Sequence, residues 1–318
     1  MLPRSLWHPR HWPAWCGVAS MWLLAQLHWA LQRGLGGLLG SIAVQLPNQR
    51  RRIAQRNLEL CFPELDAGSR ERLLRASYRE MGSGVFGFMR AWWGSVARFR
   101  ASTSISGLEH LEQAREAGTG VILVSGHFMM LELCGRLLAE RWPIAGLYRA
   151  YDDPVVEWAV RRGRARYAVA MFERDEVREA VRHLRRGGVL WYAPDQDMRG
   201  RDFVFAPFFG ELAATTPATH HLARLGRAQV MAFGHRRSPD HRGFELAIGE
   251  PLPGVPGSDA IADTTAVNAA IESLVRASPA EYLWVHARFK RRPPGIEPRY
   301  GDASVDAPEK QQKANEGD

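Results

Sequence analysis

Cysteine is scarce. The three residues Cys16, Cys61 and Cys134 are odd in number and spaced unlike any zinc ribbon or redox pair. They read as reduced core or membrane residues, which excludes a disulfide framework and leaves folding to the apolar core. A hydrophobic share of 46% in 318 residues is ample for that, with room for one large α/β domain or two smaller ones. Lysine is also nearly absent. The 42 Lys+Arg against 34 Asp+Glu give a net charge of +8 and a sequence pI near 9.8, and almost all of the positive charge is arginine. A guanidinium grips phosphate with a planar two-pronged fork, so this composition points to a phosphate-bearing partner: nucleic acid, anionic lipid or a phosphorylated small molecule.

Residues 12–31 (WPAWCGVASMWLLAQLHWAL) form an uncharged run, bounded by Arg10 and Arg33, of about the 20 residues that a bilayer core requires. Trp7, Trp12, Trp15 and Trp29 lie near its ends, while Gln26 and His28 dilute its hydrophobicity. It reads as an N-terminal transmembrane helix, with an in-plane amphipathic helix and a cleaved signal as alternatives. By the positive-inside rule the Arg50-Arg51-Arg52 cluster and Arg56 beyond it favour a cytoplasmic position for the body of the protein. Residues 1–46, including the glycine-rich 34–46, are thus expected to be a membrane anchor. Residues 47–301 are expected to form the main domain, and 302–318 a polar disordered tail.

Within the domain, residues 49–62 have the pattern of an amphipathic helix with a basic face, and a helix from 67 or 68 is expected to stop near Met81, where Gly82-Ser83-Gly84 interrupts the pattern. From residue 119 the pattern alternates. Strands are expected at 121–124, 144–148, 169–172 and 189–192, with helices between them. A loop at 194–209, a helix opened by Thr216-Pro217, strands at 229–235 and 244–248, and a helix at 264–277 follow. The alternation predicts an α/β fold with a mixed, mostly parallel sheet covered by helices.

Ligands in such folds gather beyond the carboxyl ends of strands, and His127 lies just past the strand at 121–124, at the entrance to a helix. A helix N-terminus disfavours imidazolium and so favours the neutral ring that a general base requires. Glu132 is five positions on, about 140° round if both residues were helical. His127 must therefore sit outside the helix for its ring to fold back onto the Glu132 carboxylate, which would then fix the tautomer.

The segments HPRHW (8–12), NLELCFPE (57–64), GHFMMLEL (126–133), YRAYDDP (148–154), RGRAR (162–166), WYAPDQD (191–197), FAPFFG (205–210), ATT (214–216) and PAEYLWVHARFKRRP (279–293) together resemble the late acyltransferases of lipid A biosynthesis, the lauroyl type above all. This is a branch of the glycerolipid acyltransferase group with its His-x4-Asp/Glu signature. The resemblance implies acyl transfer, lauroyl by expectation, from an acyl carrier protein thioester to a 3-hydroxyacyl hydroxyl of Kdo2-lipid IVA. His127 and Glu132 would be the catalytic pair, with no acyl-enzyme and no cofactor beyond the thioester donor. Arg149, Arg164 and Arg166 become candidates for the acceptor phosphates. Asp195 and Gln196 would order a loop or hold substrate, and His286, Arg288 and Lys290 would contact phosphate or the carrier protein. The resemblance also implies a single-pass protein of the Gram-negative inner membrane, without nucleic acid as a partner, and a monomer is expected. Met198-Arg199-Gly200 departs from the family's usual Tyr-Gly and bears on the acyl or acceptor pocket. Two other readings are an acyltransferase for a different phospholipid or glycolipid acceptor and a non-catalytic, membrane-tethered anion-binding protein.

Overall fold

The computed structural model describes residues 4–197 and 202–301. The expected tail from residue 302 and the Met198-Arg199-Gly200 segment lie outside the described residues.

The N-terminal run is not one helix. It divides into α1 (Trp12–Gln26) and α2 (Trp29–Ala43), separated by Leu27 in an extended conformation. Helix α1 has 15 residues, which at 1.5 Å per residue span roughly 22 Å, short of the ~30 Å of a hydrocarbon core. Polar groups hold the break. The His28 ring accepts the Ala30 N–H and caps α2, the Gln32 amide donates to the Leu24 carbonyl, and the buried Arg90 guanidinium donates to Leu27 O at 2.5 Å, Gln32 Oε1 at 2.7 Å and Ser95 O at 2.9 Å. Arg90 thus satisfies a carbonyl that the end of α1 leaves without a partner. The expected transmembrane helix, and with it the single-pass inner-membrane topology, is overturned: among the described residues no helix is long and apolar enough to cross a membrane. Gln26 and His28, the two residues that diluted the run, mark the place where it breaks.

Next come α3 (Gln49–Cys61), as expected, and α4 (Ala67–Trp93), which runs straight through Gly82-Ser83-Gly84 instead of stopping at Met81. These glycines serve packing. A Cβ on Gly82 would overlap the Gly36 carbonyl of α2, and one on Gly40 would overlap the Tyr78 carbonyl of α4, so the two helices touch backbone to backbone. A Cβ on Gly84 would crowd Met129 in the loop that carries His127. Helix α4 therefore lies between the N-terminal pair and the site.

After α5 (Ala97–Arg100), β1 (Ser104–Ser106) and α6 (Leu108–Glu116), the alternating region follows its expected course. It comprises β2 (Val121–Val124), α7 (Leu131–Ala139), β3 (Ile144–Tyr148), α8 (Pro154–Arg164), β4 (Ala170–Glu173), α9 (Val177–Arg185) and β5 (Val189–Tyr192). A hairpin of β6 (Val204–Phe208) and β7 (Glu211–Thr215) occupies part of the expected loop. Its two turn residues, Phe209 and Gly210, both have positive φ, as the tightest hairpin turns require, but phenylalanine at the first position hides the signal. Helix α10 (Ala218–Gly226), β8 (Gln229–Arg237), β9 (Phe244–Pro251) and α11 (Ala260–Ala277) complete the domain.

The main sheet has the order β1-β9-β8-β2-β5-β3-β4, parallel except at β8–β9. Strand β2 is at its centre and wholly buried, with Ile122 and Val124 in one apolar cluster and Val121 and Leu123 in the other. Helices cover both faces of the sheet, as the unbroken apolar run of β2 demands.

Candidate active site

Strands β2 and β5 are parallel neighbours with Val124 opposite Tyr192. Three residues beyond each lie His127 and Asp195, so the strand register itself brings them together. The His127 N–H donates to Asp195 Oδ2 at 2.9 Å, and His127 Nδ1 is 2.5 Å from Asp195 Oδ1. Tyr282 Oη donates to Asp195 Oδ2 at 2.8 Å. Burial alone would raise the Asp195 carboxyl, but the facing His127 and the hydrogen bonds from His127 and Tyr282 hold it well below the usual carboxylate range. An ionised carboxylate only accepts, so Nδ1 carries a proton, and in the neutral ring the lone pair is then on Nε2. The Asp195 side chain is 0% exposed and that of His127 31%, so the orienting carboxylate is sealed while the ring remains open to a substrate.

His127 lies outside α7, as the helix arithmetic required, but its ring turns to Asp195 and not to Glu132. Glu132 occupies the first turn of α7 and belongs to a second buried centre. Its Oε2 accepts from Trp92 Nε1 at 2.9 Å and Tyr167 Oη at 2.8 Å, and its Oε1 from Arg164 Nε at 3.0 Å, with Arg164 Nη2 closing a two-pronged ion pair. Burial opposes the charge on Glu132, yet Arg164 and these donors leave its pKa below the ordinary value. The expected His127–Glu132 pair is corrected on that ground: four donors from α4, α8 and the residues just beyond α8 hold the carboxylate. The Arg164 Nη1 atom is buried without a hydrogen-bond partner.

The remaining candidates divide. Arg166 Nη1 donates to the Trp92 carbonyl at 3.0 Å beside the Glu132 centre, whereas Arg149 is exposed and paired with Asp152 at 3.2 Å. Gln196 is half-buried next to Asp195. His286 Nε2 accepts the Asp197 N–H at 2.9 Å, and burial pushes its pKa down to about 4, so at neutral pH it is uncharged and not a cation for phosphate. Arg288 is buried, its guanidinium donating to Ala214 O and Thr215 Oγ1, both at 2.6 Å, over the Phe208 ring. It fastens the β6–β7 hairpin. Lys290 is half-buried nearby. Among the described residues no group of three or more His, Cys, Asp or Glu is arranged to hold a metal ion.

Sequence reasoning did not identify Tyr282, Trp92 and Tyr167, nor Asp195 as the partner of His127. For Asp195 a signal existed: the same three-residue offset from the ends of two adjacent strands.

With this geometry stand the comparisons. The sequence model of the bacterial lipid A biosynthesis acyltransferases matches residues 3–291. The chain belongs to that family. This acyltransferase is 36% identical over 297 residues to the lipid A biosynthesis lauroyltransferase of Escherichia coli K12, covering 93% of this chain and 97% of the relative. It is also 36% identical over 293 residues to the palmitoleoyltransferase of the same organism, covering 92% and 95%. A lipid A biosynthesis acyltransferase of Haemophilus influenzae is 32% identical over 289 residues, covering 90% and 92%. Among solved structures, the 1-acyl-sn-glycerophosphate acyltransferase PlsC of Thermotoga maritima aligns at 14% identity over 77% of this chain and 97% of that one, with a TM-score of 0.35, too loose a likeness to bear on the chemistry. The chain is therefore an enzyme of lipid A biosynthesis that works on an acyl donor and a lipid substrate, and the non-catalytic anion-binding reading falls away.

The two buried carboxylates should separate in mutagenesis. Asp195→Asn keeps the volume but lets the His127 ring choose the wrong tautomer, so kcat should fall by about 10²–10⁴. Glu132→Gln leaves the buried Arg164 charge unpaired and should cost about 3–5 kcal/mol of stability. An unchanged kcat in Asp195→Asn, or an unchanged urea midpoint in Glu132→Gln, would contradict this division.

Proposed function

We propose that this acyltransferase moves a lauroyl group from an acyl carrier protein thioester to the hydroxyl of a 3-hydroxyacyl chain on Kdo2-lipid IVA, by direct attack with His127 as general base. The observation that carries the mechanism is the Nδ1 contact with Asp195, which leaves Nε2 as the free base on a half-open ring. Nε2 takes the hydroxyl proton, the oxygen attacks the thioester carbonyl, and the carbon–sulfur bond breaks. The departing thiolate then recovers the proton from the imidazolium, whose charge Asp195 stabilises. Arg164, clamped by Glu132 and with Nη1 unspent, is a fixed donor for a substrate oxygen, either the developing oxyanion or an acceptor phosphate. Glu132 in this scheme is a positioning residue for Arg164. An acyltransferase for another phospholipid or glycolipid acceptor would use the same chemistry.

The lauroyl assignment rests on the resemblance. Equal 36% identity to relatives named for lauroyl and palmitoleoyl transfer does not choose between those chains. Mass spectrometry of lipid A from cells with the wild-type chain and with His127→Ala should show the loss of one secondary lauroyl group in the variant. Loss of a different acyl group would correct the donor, and an unchanged lipid A would sink the base assignment.

A lipid acceptor also makes sense of the N-terminal 46 residues as an anchor of another kind. Trp12, Trp22, Leu23, Leu31, Leu35, Leu38, Leu39 and Ile42 are all exposed on α1 and α2, an apolar concentration of the sort that marks a contact surface. We read these helices as lying along a lipid surface and not crossing it. In flotation with phosphatidylglycerol-containing vesicles, the wild-type chain should rise with the lipid, and Leu38→Glu with Leu39→Glu should reduce the floated fraction at least fivefold. Equal flotation of both would remove this reading.

A further inference from the structure

The loop that carries His127 does not stand alone. It is held by residues 281–283, just beyond α11. The Met129 N–H donates to the Glu281 carbonyl at 2.8 Å and the Leu283 N–H to the His127 carbonyl at 3.0 Å, which together make an antiparallel bridge between Phe128 and Tyr282, and from the same segment Tyr282 Oη reaches Asp195. These three residues thus fix both the base and the carboxylate that orients it. Glu281 ties the segment to the sheet, because its Oε1 accepts the Arg237 N–H of β8 at 2.9 Å.

The surroundings of Glu281 are poor for a charged group. Its Oε2 is buried without a hydrogen-bond partner. Arg237 lies beside it, but its guanidinium is bonded to Glu80 of α4 at 2.6 Å and stacked on Phe244, with Nε unpartnered. His235 of β8 is buried with neither ring nitrogen hydrogen-bonded, and burial pushes its pKa down to about 3, so it offers no positive charge. Arg236 of β8 attracts weakly, the Glu80 carboxylate repels, and Cys134 of α7 faces the same cluster with a thiol that burial keeps protonated.

We propose that Glu281 is a positioning residue for acyl transfer: its buried carboxyl ties the Tyr282 segment to β8 and so holds the His127 loop and Asp195 in working register. This inference rests on His127 being the base. A purely apolar side chain could not do the same, since the Arg237 N–H would then be buried without an acceptor. The pH behaviour follows from the surroundings. Burial first, and Glu80 after it, push the Glu281 pKa up to about 7 from the ordinary value near 4.5. An acid whose folded pKa is raised binds its proton more tightly in the folded state, so its contribution is present at low pH and is lost as pH rises through about 7. Above that pH the carboxyl is a buried charge whose desolvation the Arg237 N–H and guanidinium only partly offset, and the structure around the segment is destabilised. Turnover should therefore have an alkaline limb set by Glu281, distinct from the acid limb of a histidine base.

The test uses the full chain and measures transfer from an acyl carrier protein thioester to lipid acceptor across pH, with His127→Asn alongside. Glu281→Ala should lower kcat at least tenfold with the KM of both substrates within about twofold. Glu281→Gln, which still accepts from Arg237 but cannot ionise, should restore most of that kcat and remove the alkaline limb; should the alanine variant fail to fold, this pH profile alone decides. An alkaline limb that persists in Glu281→Gln, or wild-type turnover in Glu281→Ala while His127→Asn is inactive, would overturn the inference alone. Full turnover in His127→Asn would overturn the reading of the site itself.

Discussion

The contact between His127 and Asp195 depends on a feature of the sheet and not of either loop. Parallel pairing of β2 with β5 sets Val124 against Tyr192, and two chains leaving adjacent strands in the same direction bring equally spaced residues to the same height. The carboxylate is then buried by Tyr282 and the imidazole is left half open. A shift of register by one residue would separate the pair and also reverse the faces of β5, so the packing that fills both apolar clusters is the same constraint that aligns His127 with Asp195.

Around that contact the enzyme keeps its two carboxylates apart. Asp195 orients an imidazole whose other nitrogen would face substrate in the proposed reaction, while Glu132 holds a guanidinium. Each lies in a site where burial disfavours its charge and specific donors overcome that penalty, three hydrogen bonds at Asp195 and the Arg164, Trp92 and Tyr167 set at Glu132. Arg90 shows the same economy at the N-terminus, where one buried guanidinium holds the break between α1 and α2. At Glu132 and at the break an arginine that composition suggests for phosphate binding is turned inward. Arg288, fastened to the β6–β7 hairpin, belongs with them, whereas the candidates Arg149 and Arg166 are exposed.

Much of this was legible in the sequence. The apolar run of β2, the alternation after residue 119 and the strand-end position of His127 gave the sheet and the place of His127, because buried strands and helix entrances leave local patterns. What stayed hidden was non-local. The partner of His127 is 68 residues away along the chain, and the helix arithmetic could only suggest the acid nearest in sequence. Gly82-Ser83-Gly84 looked like a helix stop because glycine is a poor helix former, but here the close approach of α2 requires Gly82 and that of Met129 requires Gly84. The uncharged run at 12–31 had the length of a membrane span, and its two polar residues were the only local sign of the break that Arg90, from a distant helix, completes.

The most direct measurement is nitrogen-resolved NMR of the His127 ring in the full chain, at a pH where the imidazole is neutral. A proton on Nδ1, hydrogen-bonded and shifted downfield, with a bare Nε2, is the predicted result, and that Nδ1 signal should vanish in Asp195→Asn. A proton on Nε2 in the wild-type chain would contradict His127 as a base poised by Asp195.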